Sequence, residues 1–177
     1  MAKQDLLKGK HVLIVDDEED VLDALSELLS DCVVEKAATF EDASAKLNRV
    51  KFDLAILDIM GVQGYDLLDI AIKNKITAVM LTAHAFTPND TIKSFKKGAA
   101  YYLPKEEMAK IVDHLNDMLE TQAKGKSTWA KWLDKFSAFY EKKFGAEWHG
   151  QEINDPMRLR ELEPGKLKYM EKVHRYF

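Results

Sequence analysis

The chain has 177 residues, 46% of them hydrophobic, which suits one ordinary domain plus an appendage or a single large domain. No run approaches the roughly 20 apolar residues that span a bilayer, and Met1 to Lys10 lacks the apolar core of a signal peptide, so a cytoplasmic location is expected. Charge divides unevenly: 14 basic and 21 acidic side chains in residues 1–119 leave −7, whereas 12 and 9 in residues 120–177 leave +3, with the tail's basic residues interleaved with acids, which argues against a nucleic-acid surface.

His11 to Val15 is an apolar run ending in Asp16-Asp17-Glu18-Glu19-Asp20. Val21, Leu22, Leu25, Leu28 and Leu29 follow at helical spacing, so strand one leads into helix one. The helix dipole accounts for Glu18, Glu19 and Asp20. It accounts less well for Asp16 and Asp17, which lie at the strand end itself. Cys32 to Lys36 reads as strand two; Cys32, the only cysteine, excludes an internal disulfide and reads as a small buried hydrophobe. Thr39 and Asp42 form the pattern of a capping box, and Ala43, Leu47 and Val50 carry helix two to about Arg49.

Leu54 to Leu57 is apolar throughout and ends in Asp58, as a strand buried on both faces does. A short loop with Gly61 and Gly64 precedes helix three, expected from about Tyr65 to Lys73. Strand four is Thr77 to Leu81, followed by Thr82-Ala83. Thr87-Pro88 opens helix four and Gly98 closes it. Strand five is Ala100 to Leu103, ending in Pro104-Lys105, and Glu106 to about Gln122 is helix five. Five β-α units in succession argue for a doubly wound α/β fold with a parallel sheet.

The polar residues at the strand ends are Asp16, Asp17, Asp58, Thr82 and Lys105. In open α/β sheets ligands bind at this end. Three converging carboxylates repel one another unless a cation sits among them, and oxygen-only ligands point to Mg²⁺. The set suits an incoming phosphoryl group: Asp58 attacks phosphorus, the metal and Lys105 neutralise its oxygens, and Thr82 hydrogen-bonds one of them.

Val12-Leu13-Ile14-Val15-Asp16-Asp17-Glu18, Ala55-Ile56-Leu57-Asp58-Ile59-Met60, Met80-Leu81-Thr82-Ala83 and Gly98-Ala99-Ala100-Tyr101-Tyr102-Leu103-Pro104-Lys105 together resemble the receiver domain of two-component response regulators over about residues 10–122. The resemblance implies a flavodoxin-like sheet of strand order 2-1-3-4-5 with five helices. It implies phosphotransfer from a histidine kinase or phosphotransfer protein to Asp58, with Mg²⁺ held by Asp16, Asp17, Asp58 and the backbone carbonyl of Met60. It also implies a switch in which Thr82 turns to the phosphoryl group, Tyr102 rotates inward, and the helix four–strand five–helix five face is remodelled for a downstream protein. His84, two residues past Thr82, takes a position that affects phosphate lifetime in this family. The chain departs from the family twice. Gly64 follows Asp58 by six residues rather than eight, with no Pro in the loop, and Pro104 precedes Lys105 instead of following it. An edge position for strand five would make Pro104 harmless.

Residues 1–122 are thus read as the receiver and 123–177 as a helical C-terminal extension. Ser127 is an N-cap, and Trp129, Trp132, Leu133, Phe136, Phe139, Tyr140 and Phe144 form an aromatic stripe ended by Gly145. The stripe either packs on the receiver as an extra helix or serves a partner or homodimer; a membrane-surface helix is the weaker alternative. Asp155-Pro156 is read as a further cap, with Met157, Leu159 and Leu162 in a short helix and Leu167, Met170, Val173 and Phe177 in a final turn or two. The expected function is a phosphorylation switch acting through protein contacts, catalysing only its own phosphorylation and dephosphorylation. The alternatives are a DNA-binding transcriptional regulator with an atypical output module, although no helix-turn-helix is evident, and a Mg²⁺-dependent phosphatase-like enzyme.

Overall fold

The structure is a computed structural model that describes residues 5–83 and 87–145. His84 and the tail helices expected after Gly145 lie outside the described residues.

Five parallel strands form one sheet: β1 (His11–Val15), β2 (Val33–Ala37), β3 (Leu54–Asp58), β4 (Thr77–Thr82) and β5 (Tyr101–Pro104), in the order β2-β1-β3-β4-β5. Ile14 pairs with Ile56, Leu57 with Met80, and Met80 with Tyr102. Every residue of β3 is buried, as its uninterrupted apolar run requires of a strand covered on both faces. The helices α1 (Glu19–Leu28), α2 (Phe40–Arg49), α3 (Gly64–Lys73), α4 (Pro88–Lys96) and α5 (Ile111–Ala123) supply that cover. Their inward residues include Leu22 and Leu25, Ala43 and Leu47, Leu67 and Ala71, Phe95, and Ile111, Leu115 and Met118. The expected caps form: the Asp42 N–H donates to Thr39 Oγ1 over 3.3 Å, and the Asp90 N–H to Thr87 Oγ1 over 3.1 Å. Cys32 is half-buried against the core, and its thiol reaches the Leu7 carbonyl over 3.4 Å.

β2, β4 and β5 differ from expectation by a residue at their ends, and the largest difference is at the start of α5. Lys105–Lys110 is a 3-10 helix, and α5 begins at Ile111 rather than Glu106. Tighter i to i+3 turns are frequent at helix N-termini, and their side-chain spacing is hard to tell from an α-helix in a short apolar pattern. Pro104 sits opposite Thr82 on the outermost strand, where its missing N–H costs no ladder bond.

The aromatic stripe forms α6 (Thr128–Phe144), capped by Ser127 and closed at Gly145 with φ 89°. Of the readings open for it, the structure realises the extra helix. Trp129, Trp132, Phe136 and Tyr140 are buried against α4, β5 and α5. Phe95 lies 4.2 Å from Trp129 between ring centroids, and Phe136 stacks on His114 at 5.4 Å. The Trp132 indole donates to the Tyr102 carbonyl over 2.5 Å, and the hydroxyls of Tyr140 and Thr91 lie 2.6 Å apart. Lys135 reaches Asp117 of α5 at 3.3 Å. The outer strand β5 is therefore buried on all four residues, whereas the opposite edge, β2, is mostly half-buried.

Candidate functional site

The strand order reverses at β1, whose neighbours β2 and β3 lie on opposite sides, and the crevice at the carboxyl ends of β1 and β3 is where such folds bind ligands. Asp16 follows β1, Asp58 ends β3, Thr82 ends β4 and Lys105 follows β5. Asp16, Asp58 and Thr82 are buried, while Asp17 is exposed at the rim. Carboxylate oxygens of Asp16, Asp17 and Asp58 lie within 4.8 Å of one another. Three hard oxygen donors at one rim, one of them open to water, fit a divalent cation that keeps part of its hydration shell.

Lys105 is the counter-charge. Its ammonium is 2.7 Å from Asp16 Oδ2, 2.8 Å from Glu18 Oε1 and 3.5 Å from Asp58 Oδ1. Burial alone would lower its pKa, but the hydrogen-bonded carboxylates of Asp16 and Glu18 and the charge of Asp58 outweigh it, and the net shift is upward. Lys105 is thus a fixed positive charge. Asp16 is shifted the other way from an ordinary carboxyl: burial raises its pKa, and bonds from Lys105 and the Glu18 N–H only partly offset this. That N–H donates to Asp16 Oδ1 over 3.0 Å, which orients the carboxylate toward the crevice.

Asp58 is held from the other side. Its Oδ2 accepts the backbone N–H groups of Met60 over 3.0 Å and Gly61 over 3.2 Å, which leaves Oδ1 toward Lys105. The short loop manages this through unusual backbone. Gln63 takes a left-handed φ of 54° just before α3. A Cβ at Gly61 would lie 2.0 Å from Asp17 Oδ1, and one at Gly64 would lie 2.0 Å from the Asp58 carbonyl oxygen. At Gly64 the backbone passes too close for any side chain, whereas at Gly61 the obstacle is the movable Asp17 carboxylate.

The structure brings Asp16, Asp17, Asp58 and Lys105 into one cluster, with Thr82 on the neighbouring strand end. Met60 is next to it with an exposed side chain. Tyr102 is apart from the cluster, fully buried beneath α6, and burial drives its hydroxyl pKa upward. Glu18 was not expected here. It caps α1 by position but makes no side-chain cap bond, and its carboxylate crosses to Lys105 instead. Gly61 was visible only as a loop glycine.

Among known proteins, residues 12–116 match the family described as the response regulator receiver domain. The two-component response regulator ARR18 of Arabidopsis thaliana is 32% identical over 117 residues, which are 60% of this chain and 18% of that protein, so the chain spans less than a fifth of that relative's length. A CheY-like response regulator receiver domain protein from Methanospirillum hungatei JF-1 has a similar structure, with a TM-score of 0.59 and 30% identity, over 66% of this chain and 98% of that one. The signal receiver domain of an HD domain-containing protein from Pseudomonas fluorescens Pf-5 is also similar, with a TM-score of 0.58 and 25% identity over 66% and 98% of the two chains. Receiver domains serve phosphorylation-based signalling rather than metabolic catalysis, bind Mg²⁺ at an acidic cluster and interact with histidine kinases or phosphotransfer proteins. The five-strand order, the three grouped aspartates and the match over most of the sheet agree, and this chain belongs to the response regulator receiver domain family.

Proposed function

We propose that Asp58 is the phosphoryl acceptor of this receiver, and that residues 1–122 form the receiver unit while 123–177 are an appended segment. The observation that carries the reading is the set of contacts on Asp58: two backbone N–H groups fix one carboxylate oxygen while the other faces the Lys105 ammonium. A carboxylate oxygen of Asp58 attacks the phosphorus of a phosphohistidine, the P–N bond breaks, and the electron pair returns to the imidazole. The product is an acyl phosphate. Asp16, Asp17, Asp58 and the Met60 carbonyl would hold Mg²⁺, which when bound supplies charge neutralisation at the phosphoryl oxygens. Lys105 stabilises the same oxygens from the opposite side, and the Thr82 hydroxyl donates to one of them.

The donor is a histidine kinase or phosphotransfer protein. Autodephosphorylation is the only other chemistry, with His84 affecting its rate. The switch runs from Thr82 to Tyr102 on β5 and on to the α4–β5–α5 face. No helix among the described residues is long and apolar enough to cross a membrane; the site of action is the cytoplasm.

Intact mass after treatment with acetyl phosphate and Mg²⁺ tests the reading. Wild type gains about 80 Da, the mass of one phosphoryl group, and Asp58→Asn gains nothing. A folded wild type that gains no mass with several donors overturns it.

A further inference from the structure

We infer that α6 is the resident ligand of the α4–β5–α5 face, and that phosphorylation at Asp58 releases it. This rests on Asp58 being the acceptor, as proposed above. α6 lands on three elements of the receiver. Its buried residues meet Phe95 and Thr91 of α4, Tyr101 and Tyr102 of β5, and His114 of α5. These are the three elements whose face a receiver of this reading would remodel.

The two polar anchors are placed to feel the site. One is the Tyr102 carbonyl on β5, which accepts from Trp132, and Lys105 directly follows that strand's last residue, Pro104. The other is the Thr91 hydroxyl, which meets Tyr140 and lies nine residues after Thr82. Met80, the register partner of Tyr102, is two residues before Thr82. When Thr82 and Lys105 are drawn onto a phosphoryl group, the ends of β4 and β5 move with them; the Tyr102 carbonyl is carried on β5 itself, and Thr91 on α4, the next element after β4. Packed interfaces of this kind hold one arrangement or another rather than deforming smoothly.

The docked state also has a built-in weakness. The buried Trp129 Nε1 has no hydrogen-bond partner among the described residues, and an unmet buried donor of this kind opposes docking.

The test is amide hydrogen exchange across Thr128–Phe144 in the full chain, with and without acetyl phosphate and Mg²⁺, on samples whose intact mass is measured in parallel. Exchange in α6 rises by roughly tenfold on phosphorylation, inside the usual range of about 5–150-fold for coupled sites. β1 and β3 keep their protection, and Asp58→Asn shows no change. Unchanged or slower exchange in α6, in a sample that has gained about 80 Da, overturns the release while leaving the acceptor intact. Absence of the mass gain overturns the acceptor and the release together. Coupling is reciprocal, so Tyr140→Phe provides a second reading. It keeps the ring, and Thr91 keeps its bond to the Thr87 carbonyl. At a fixed acetyl phosphate and Mg²⁺ concentration the variant reaches a severalfold higher ratio of phosphorylated to unphosphorylated chain than wild type; an equal ratio counts against release.

Discussion

The indole N–H of Trp132 donates to the main-chain carbonyl of Tyr102, so a side chain of α6 completes a hydrogen bond at the outermost strand of the sheet. Trp132 is fully buried. Trp132→Ala is expected to cost about 3–5 kcal/mol in urea unfolding, the usual range for deleting a buried tryptophan. Trp132→Phe keeps much of the packing but leaves the carbonyl without its indole donor, and should cost about 1–3 kcal/mol. If the alanine variant unfolds at the wild-type midpoint, α6 is not part of the cooperative core.

The two loop glycines separate fold from site. Gly64→Ala drives a methyl into the Asp58 carbonyl and the Ile59 Cα, both backbone, so the sheet itself must shift. A loss of about 1–3 kcal/mol is expected, as in overpacked cores. The atoms nearest a methyl at Gly61 belong to the Asp17 carboxylate, a side-chain end that can swing away. Gly61→Ala should leave the melting temperature nearly unchanged while weakening Mg²⁺ binding by about 10–100-fold, the usual effect of disturbing the support of a metal ligand. Calorimetric titration of both variants with Mg²⁺ checks the contrast.

Lys105 occupies the acidic cluster as a cation, beside the oxygens that would take up the metal. Its charge opposes that of Mg²⁺. Lys105→Met is therefore expected to bind Mg²⁺ severalfold more tightly than wild type, yet to lose most phosphorylation by acetyl phosphate. Weaker Mg²⁺ binding would show that Lys105 organises the carboxylates rather than competing with the ion.

His114 gives a pH dependence with a defined sign. It is buried, with Nδ1 3.3 Å from the Tyr101 hydroxyl and Nε2 3.5 Å from Glu107, and Phe136 of α6 stacks on its ring. Burial and then the nearby Lys135 charge hold its pKa below the ordinary value of 6.5, with Glu107 opposing. The unfolded chain therefore binds the proton more readily. Stability from the neutral ring is present above pH 6.5 and is lost as the pH falls below it. Asp16, whose pKa is raised, acts in the opposite sense. Comparing urea midpoints at pH 7.5 and 5.5 for wild type and His114→Gln isolates the histidine: the wild type should lose more on acidification than the variant.

The sheet was legible because β1, β3 and β4 are apolar runs that stop at acids or a threonine, and that pattern carries both burial and the position of the crevice. The cluster of Asp16, Asp17, Asp58 and Lys105 followed from the same endings. What was hidden lies in tertiary relationships. Glu18 reads locally as a helix-dipole acid, and only the fold brings it to Lys105, 87 residues away. The stripe of α6 announces an amphipathic helix without naming the surface it covers. The 3-10 start before α5 was hidden for a local reason, since Met108 and Ile111 satisfy either winding.

The segment joining α5 to α6 is only Lys124 to Ser127, with Gly125 at φ 64° turning the chain back. So short a tether keeps the helix at a local concentration on the order of millimolar over its own docking surface. An outside protein competing for that surface at micromolar levels would begin about a thousandfold behind by mass action. Under the release proposed above, the face stays covered until Asp58 is phosphorylated, and raising the amount of a partner does little to engage it.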